Sequence, residues 1–111
     1  MITFNKQAAQ GDLLITKIDS IPASTTLCTH SGDYTVAHSE TGHNHVMDSA
    51  HVDFYTAANN PFVLYLAVKN ETPIRHLRSF DTHKALSVPP GLYRINRQRE
   101  YIAEGFRKAQ D

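Results

Sequence analysis

Three histidines lie within eight positions of one short stretch, "AHSETGHNHVM" at residues 37–47. They are His38, His43 and His45, with Glu40 and Gly42 among them. Histidine is the commonest metal ligand, and a carboxylate can add an oxygen ligand or hold an imidazole by its second nitrogen. The residue types in this stretch therefore predict a metal site.

The spacing of the close pair suggests how such a site is built. In an extended chain His43 and His45 point the same way, because side chains two residues apart share a face of a strand. Gly42 lets the backbone turn sharply just before them. We expect His38, at the end of the preceding strand, to fold back beside the pair. The next ligand must come from elsewhere, and our choice is His83, which precedes another candidate strand.

Other side chains are alternative candidates for metal ligands. They are His51 and His76 for nitrogen, and Glu40 and Asp48 for oxygen. Such groups suit a divalent transition metal, and Zn, Fe, Ni, Cu and Mn all stay open. An open coordination position would permit a hydrolase or an oxygenase, whereas a closed site would be structural. The competing interpretations are solvated surface histidines, or a patch that charges as the pH falls through about 6.5.

The elements that must position these residues read as short β-strands. Segments with period-two patterning and many β-branched or aromatic residues are separated by Gly, Pro and Asn. They are 13–18, 34–38, 51–56, 62–68, 85–88 and 93–96. This spacing predicts an all-β fold, an antiparallel sandwich or small barrel.

Two of these segments allow more detailed predictions. In 51–56, Val52 and Phe54 should share one face. The segment 62–68 is apolar on both faces, which predicts a central strand covered on both sides. Residues 99–110 fit either a short C-terminal helix or a terminal arm lying on the sheet, since Gly105 weakens a helix by roughly 1 kcal/mol.

The composition fits one globular domain over residues 1–111, with a hydrophobic fraction of 41%. No apolar run approaches the roughly 20 residues that span a bilayer, so we expect no membrane association. The first residues do not resemble a secretory signal, and Cys28 is the only cysteine. Both features predict a cytoplasmic protein. A nucleophilic Cys28–His30 pair would need an electropositive pocket, so a small packed cysteine is the simpler interpretation.

Charge is divided unevenly along the chain. Residues 1–60 contain two basic and six acidic residues, net −4, and residues 61–111 contain nine and five, net +4. The basic half includes Arg94, Arg97 and Arg99 in "YRINRQREY". The simplest interpretation is a charge-protected edge strand, or arginines paired with the acidic half.

Guanidinium groups alternating with aromatics can also bind phosphates and stack on bases. Arg94, Arg97 and Arg99 are therefore candidate contacts for a small anionic ligand or a nucleic acid. They support a second class of function, a non-enzymatic phage or mobile-element accessory module that binds a host protein or nucleic acid. Pairing of strand edges would also permit a homodimer.

The "GHNH" run and the later "VPPGLYRI" resemble the two metal-binding motifs of the cupin superfamily, over residues 37–97. His43 and His45 match the cupin His-x-His pair, and Pro89 and Gly91 match its Pro-x-Gly turn. The resemblance implies a cupin-like β fold with a metal. The cupin glutamate falls at Ser49 or Ala50 here, and the third cupin histidine falls at Arg94. Any metal must therefore recruit different partners.

The chain also resembles short bacterial and phage proteins of unknown activity. They combine a histidine run like "HSETGHNH" with a closing Pro-Gly-x-Tyr and Gln-Arg-Glu-Tyr. The resemblance implies that "HSETGHNH", "THKALSVPPGLY" and "RQREY" belong to one scaffold. It implies no particular reaction.

Overall fold

The computed structural model describes residues 2–3, 6–10, 13–37, 44–76 and 86–97. In these ranges the chain forms eleven β-strands and no helix, which confirms the all-β prediction. The strands are β1 (Ile2–Thr3), β2 (Gln7–Gln10), β3 (Leu13–Ile18), β4 (Thr25–Cys28), β5 (Asp33–Ala37), β6 (His45–Asp48), β7 (Val52–Ala57), β8 (Val63–Val68), β9 (Thr72–His76), β10 (Leu86–Val88) and β11 (Gly91–Arg97).

The strands form two sheets that pack as a sandwich. The five-stranded sheet has the order β1-β10-β9-β6-β5, and the six-stranded sheet has the order β2-β3-β11-β8-β7-β4. Neighbouring strands are antiparallel, except that β1 runs parallel to β10. The predicted antiparallel sandwich is therefore the observed architecture.

The core lies on the inner faces of the sheets and follows the period-two pattern. Val52 and Phe54 of β7 are buried on the same face, as predicted. On β8, Leu64 and Leu66 are fully buried. Each such side chain contributes roughly 1.5–3 kcal/mol when it leaves water.

The strand β8 is central, as predicted, because it pairs with β11 on one side and β7 on the other. Its outer face is only partly covered, however. Tyr65 and Ala67 are half-buried, whereas Leu64 and Leu66 on the inner face are fully buried. The expectation that both faces of this strand are covered is therefore only partly correct.

The strand β9 begins inside a segment whose composition predicts a stop, Asn70 to Pro73. Pro73 lies opposite Ser87 on β10, whereas β6 pairs with β9 only at Arg75 and His76. Proline donates no backbone hydrogen bond, so it is tolerated where one side of a strand has no neighbour. Pro73 occupies such a position.

The "PPG" turn leads into β11 as the sequence suggests. Gly91 has a φ of +151°, which side chains other than glycine rarely adopt. The Tyr93 hydroxyl donates a 2.6 Å hydrogen bond to the Pro89 carbonyl oxygen and so closes the turn. The turn therefore delivers β11 between β3 and β8.

The alternative of a helix or an arm over 99–110 lies outside the described residues. Within those residues, no helix has the length and apolar character needed to cross a membrane.

Candidate metal centre

Of the four predicted ligands, His45 is the one that lies within the described residues. It is the first residue of β6, and only 1% of its surface is exposed. It shares a face of the strand with Met47, which belongs to the hydrophobic core. The interpretation of His45 as a solvated surface histidine is therefore wrong.

The neighbours of His45 across the sheet are Ala37 on β5 and His76 on β9. Residues directly opposite in an antiparallel pair are the closest cross-strand neighbours, with Cα atoms about 4.5–5.5 Å apart. His76 is one of the further histidines that the sequence offers as a ligand. The backbone register thus brings together two histidines from distant parts of the sequence.

Two other predicted ligands belong to the connection between β5 and β6. β5 stops at Ala37 and β6 starts opposite it at His45, so the connection 38–44 leaves and re-enters the sheet at one point. His38 and His43 belong to this connection. In the sequence His38 directly follows Ala37, and His43 precedes His45 by two residues.

His83 belongs to the connection that leaves β9 at His76 and enters β10 at Leu86, which pairs with Ile74. His38, His43 and His83 lie outside the described residues. Within the described residues, His45 and His76 lie opposite one another at one end of the five-stranded sheet. Among the side chains that the structure describes, no three or more His, Cys, Asp and Glu are grouped to hold a metal.

Two of the alternative candidates are at the other end of β6. Asp48 is the last residue of the strand and alternates to the opposite face from His45. Its Oδ1 accepts a hydrogen bond from the Ala50 amide at 2.9 Å. His51 follows the next turn, where its Nδ1 lies 3.4 Å from Asn70 Nδ2. Asp48 and His51 therefore lie at the end of β6 away from His45, so we do not expect them as ligands of a site there. Glu40 lies outside the described residues.

Cys28 and His30 line a cleft of about 160 Å³ at the edge of the six-stranded sheet. The Cys28 thiol lies 3.8 Å from Thr56 Oγ1 and 3.9 Å from the Tyr34 hydroxyl. His30 Nε2 instead lies 2.8 Å from the Asp33 carbonyl oxygen. No hydrogen bond between Cys28 and His30 occurs in the described part of the chain. Cys28 packs against the core, which agrees with the simpler interpretation.

The arginines of β11 lie on two faces. Arg97 shares the buried face with Tyr93 and Ile95, as the alternation predicts, and its Nη2 donates to the Val63 carbonyl oxygen at 3.3 Å. Arg94 is exposed on the other face. Arg94 and Arg97 therefore do not form a common basic surface, because successive strand residues alternate. Arg99 lies outside the described residues.

The structure is an all-β sandwich in which His45 lies opposite His76 at one end of the five-stranded sheet. The chain belongs to the family described as Domain of unknown function (DUF8820), whose model matches residues 9–98. No curated protein and no solved structure matches the chain. The family description assigns neither a ligand nor a reaction, and the resemblance to cupins stays a prediction.

Proposed function

We propose that this protein binds one divalent transition metal ion at one end of the five-stranded sheet, where β6 begins with His45. The observation that carries the proposal is the register of β6 and β9, which sets His45 opposite His76. Two histidines from separate segments at one sheet position are the first requirement of such a site.

The chemistry of this location favours a metal. His45 is buried, and a neutral imidazole is easier to bury than a charged side chain because it gives up less hydration. The same imidazole nitrogen is a preferred ligand of Zn, Cu, Fe and Ni. His38 and His43 belong to the connection that leads into β6 at His45, and His83 belongs to the connection that leaves β9 at His76. With an open coordination position, a bound metal would supply a water of lowered pKa for hydrolysis or a site for oxygen chemistry.

The first experiment is elemental analysis of protein purified without a polyhistidine tag, followed by titration of the chelator-treated protein with Co²⁺ or Zn²⁺. We expect one equivalent of metal per chain. His45→Gln and His76→Gln should each weaken metal binding by about tenfold or more, an estimate taken from the loss of supporting groups at metal sites. The matched control is His30→Gln, which should bind as the unmodified protein does. His30 is exposed, and its ring lies beside Asp33, at the end of β5 away from Ala37 and His45.

A second measurement separates loss of the metal from loss of the fold. At a free metal concentration a hundred times Kd, the unmodified protein should gain about 2.7 kcal/mol in its free energy of unfolding. His45→Gln should gain less, and both proteins should show the same circular dichroism in chelator. Separate glutamine substitutions of His38, His43 and His83 then identify the remaining ligands.

Absence of bound metal together with no uptake on titration would overturn the proposal. So would unchanged affinity in both His45→Gln and His76→Gln. If His45→Gln does not fold, His76→Gln and His43→Gln decide the question.

A further inference from the structure

One row of residues crosses the outer face of the six-stranded sheet, with one residue from each strand. In order from β4 to β2 it consists of Leu27, Tyr55, Tyr65, Arg94, Thr16 and Gln7, each opposite the next. The sequence neighbours of these residues, such as Phe54 and Leu66, point into the core. The row therefore lies on the face away from the five-stranded sheet.

The centre of the row is aromatic. Tyr55 on β7 and Tyr65 on β8 are directly opposite one another and are both half-buried. Within the described part of the chain, neither hydroxyl has a hydrogen-bond partner. Leu27 extends the apolar surface to the sheet edge, and 53% of its surface is exposed. The sheet thus presents two aromatic side chains from adjacent strands without satisfying their polar ends.

The aromatic centre is bordered by a cation. Arg94 is exposed and lies opposite Tyr65. Its Nε donates a 3.1 Å hydrogen bond to Asn96 Oδ1, which orients the guanidinium along the strand. The acid in the next row, Asp53, has the Lys69 ammonium 3.6 Å from its Oδ1. Among the residues that the structure describes, Arg94 has no ion pair, so its charge is available to an anion on this face.

We propose that this face binds single-stranded nucleic acid, with bases stacked on Tyr55 and Tyr65 and a phosphate on Arg94. Proteins that bind single strands combine aromatic side chains, which stack on any base, with cations along the backbone. Arginine suits this position because its planar guanidinium can bind phosphate through two hydrogen bonds. A neutral oligosaccharide is less favoured because it would leave Arg94 without a counter-charge. This site is separate from the proposed metal centre, which lies in the other sheet.

The test is fluorescence anisotropy with a labelled oligothymidylate of about twelve nucleotides, within the usual footprint of such surfaces. Tyr55→Ala and Tyr65→Ala should each weaken binding roughly 5- to 150-fold, the measured range for loss of one stacked base. The matched control is Phe62→Ala, which removes an aromatic that is 42% exposed in the turn before β8. It should leave the affinity unchanged.

The charge contribution is measured by salt dependence. Each phosphate contact to a single strand contributes about −0.7 to the slope of log K against log salt concentration. Arg94→Gln should reduce the slope by about that amount. Arg75→Gln should not, because Arg75 is an arginine of the five-stranded sheet that pairs with Asp33.

Two further comparisons make the outcome decisive. Tyr55→Phe and Tyr65→Phe keep the rings, so they should retain the affinity. The alanine variants should show the circular dichroism of the unmodified protein, so that their loss of affinity is not caused by unfolding. Absence of oligothymidylate binding would overturn the proposal. Unchanged affinity in the tyrosine-to-alanine variants would do the same, as would binding of a neutral oligosaccharide that oligothymidylate does not displace.

Discussion

The five-stranded and six-stranded sheets bury different kinds of side chain. The five-stranded sheet contains His45, Thr72 and Ser87, each at most 2% exposed. The inner face of the six-stranded sheet is built from aliphatic and aromatic groups such as Leu66 and Ile95. Among the residues described, Arg97 at the end of β11 is the buried polar side chain of this second sheet.

This difference indicates which sheet stabilises the fold and which sheet holds the proposed metal centre. Burying a polar group costs free energy unless it is hydrogen-bonded, whereas burying hydrocarbon is favourable throughout. The six-stranded sheet should therefore supply most of the stability of the sandwich. The five-stranded sheet retains polar groups inside, and this is where the proposed metal centre lies. The proposed nucleic-acid surface uses only the outer face of the more apolar sheet, so it does not disturb the core.

The largest effect should come from the apolar side of this comparison. Leu66→Ala should lower the free energy of unfolding by about 2–5 kcal/mol, because it removes fully buried hydrocarbon and leaves a cavity. Urea denaturation followed by circular dichroism measures this difference. Leu66→Met, which nearly conserves volume, should cost less than about 1.5 kcal/mol. A loss below about 1 kcal/mol for the alanine variant would contradict the assignment of stability to this sheet.

A smaller effect is expected at a buried polar group of the five-stranded sheet. The Ser87 hydroxyl donates a hydrogen bond to the carboxylate of Glu71. Ser87→Ala should lower the free energy of unfolding by about 1.5 kcal/mol. This is the low end of the range for hydrogen bonds to charged groups, because Glu71 is exposed to solvent. The same denaturation experiment measures it, with exposed Ser31→Ala as the matched control. Equal stability of the two variants would show that this buried polar group is not stabilising.

The smallest effect concerns the buried hydroxyl of Tyr93. Tyr93→Phe removes its hydrogen bond to the Pro89 carbonyl oxygen and should cost about 1 kcal/mol near neutral pH. Tyr65→Phe is the matched control, because in the described part of the chain the Tyr65 hydroxyl has no such bond. We expect that control to stay within about 0.5 kcal/mol of the unmodified protein.

The same variant has a pH signature. Burial raises the pKa of Tyr93 above its ordinary value of 10.0. The unfolded chain therefore loses this proton first as the pH rises, so the stability from the neutral phenol is present below about pH 10 and is lost above it. Tyr93→Phe should have a shallower decline in unfolding free energy above pH 10. Identical slopes for the two proteins would argue against this.

Much of the fold follows from local patterning. The predicted segment 13–18 coincides with β3, and 62–68 and 51–56 differ from β8 and β7 by one residue. Period two also places Val52 and Phe54 inside. The strands β1, β2, β4, β6 and β9 were not predicted, because they are short and owe their form to cross-strand pairing more than to composition. Pro73 in β9 is the clearest case, since its tolerance depends on where the pairing of β6 with β9 ends.

The candidate site residues were likewise only partly predictable from the sequence. The histidine run and Arg94 are visible in the sequence, because their residue types suggest ligands and anion contacts. Tyr55 and Tyr65 were missed as a pair, although each stands at an outer position of its own strand. No local pattern reveals that two strands meet at those residues.

The sequence by itself determined that segments with clear period-two patterning, such as β3, β7 and β8, are extended and which of their side chains face inward, because alternation is a property of a single strand. Only the tertiary structure decided that His45 lies opposite His76, and that Tyr55, Tyr65 and Arg94 share one row. Register depends on the packing of all neighbouring strands at once, and a shift of one residue would exchange the two faces.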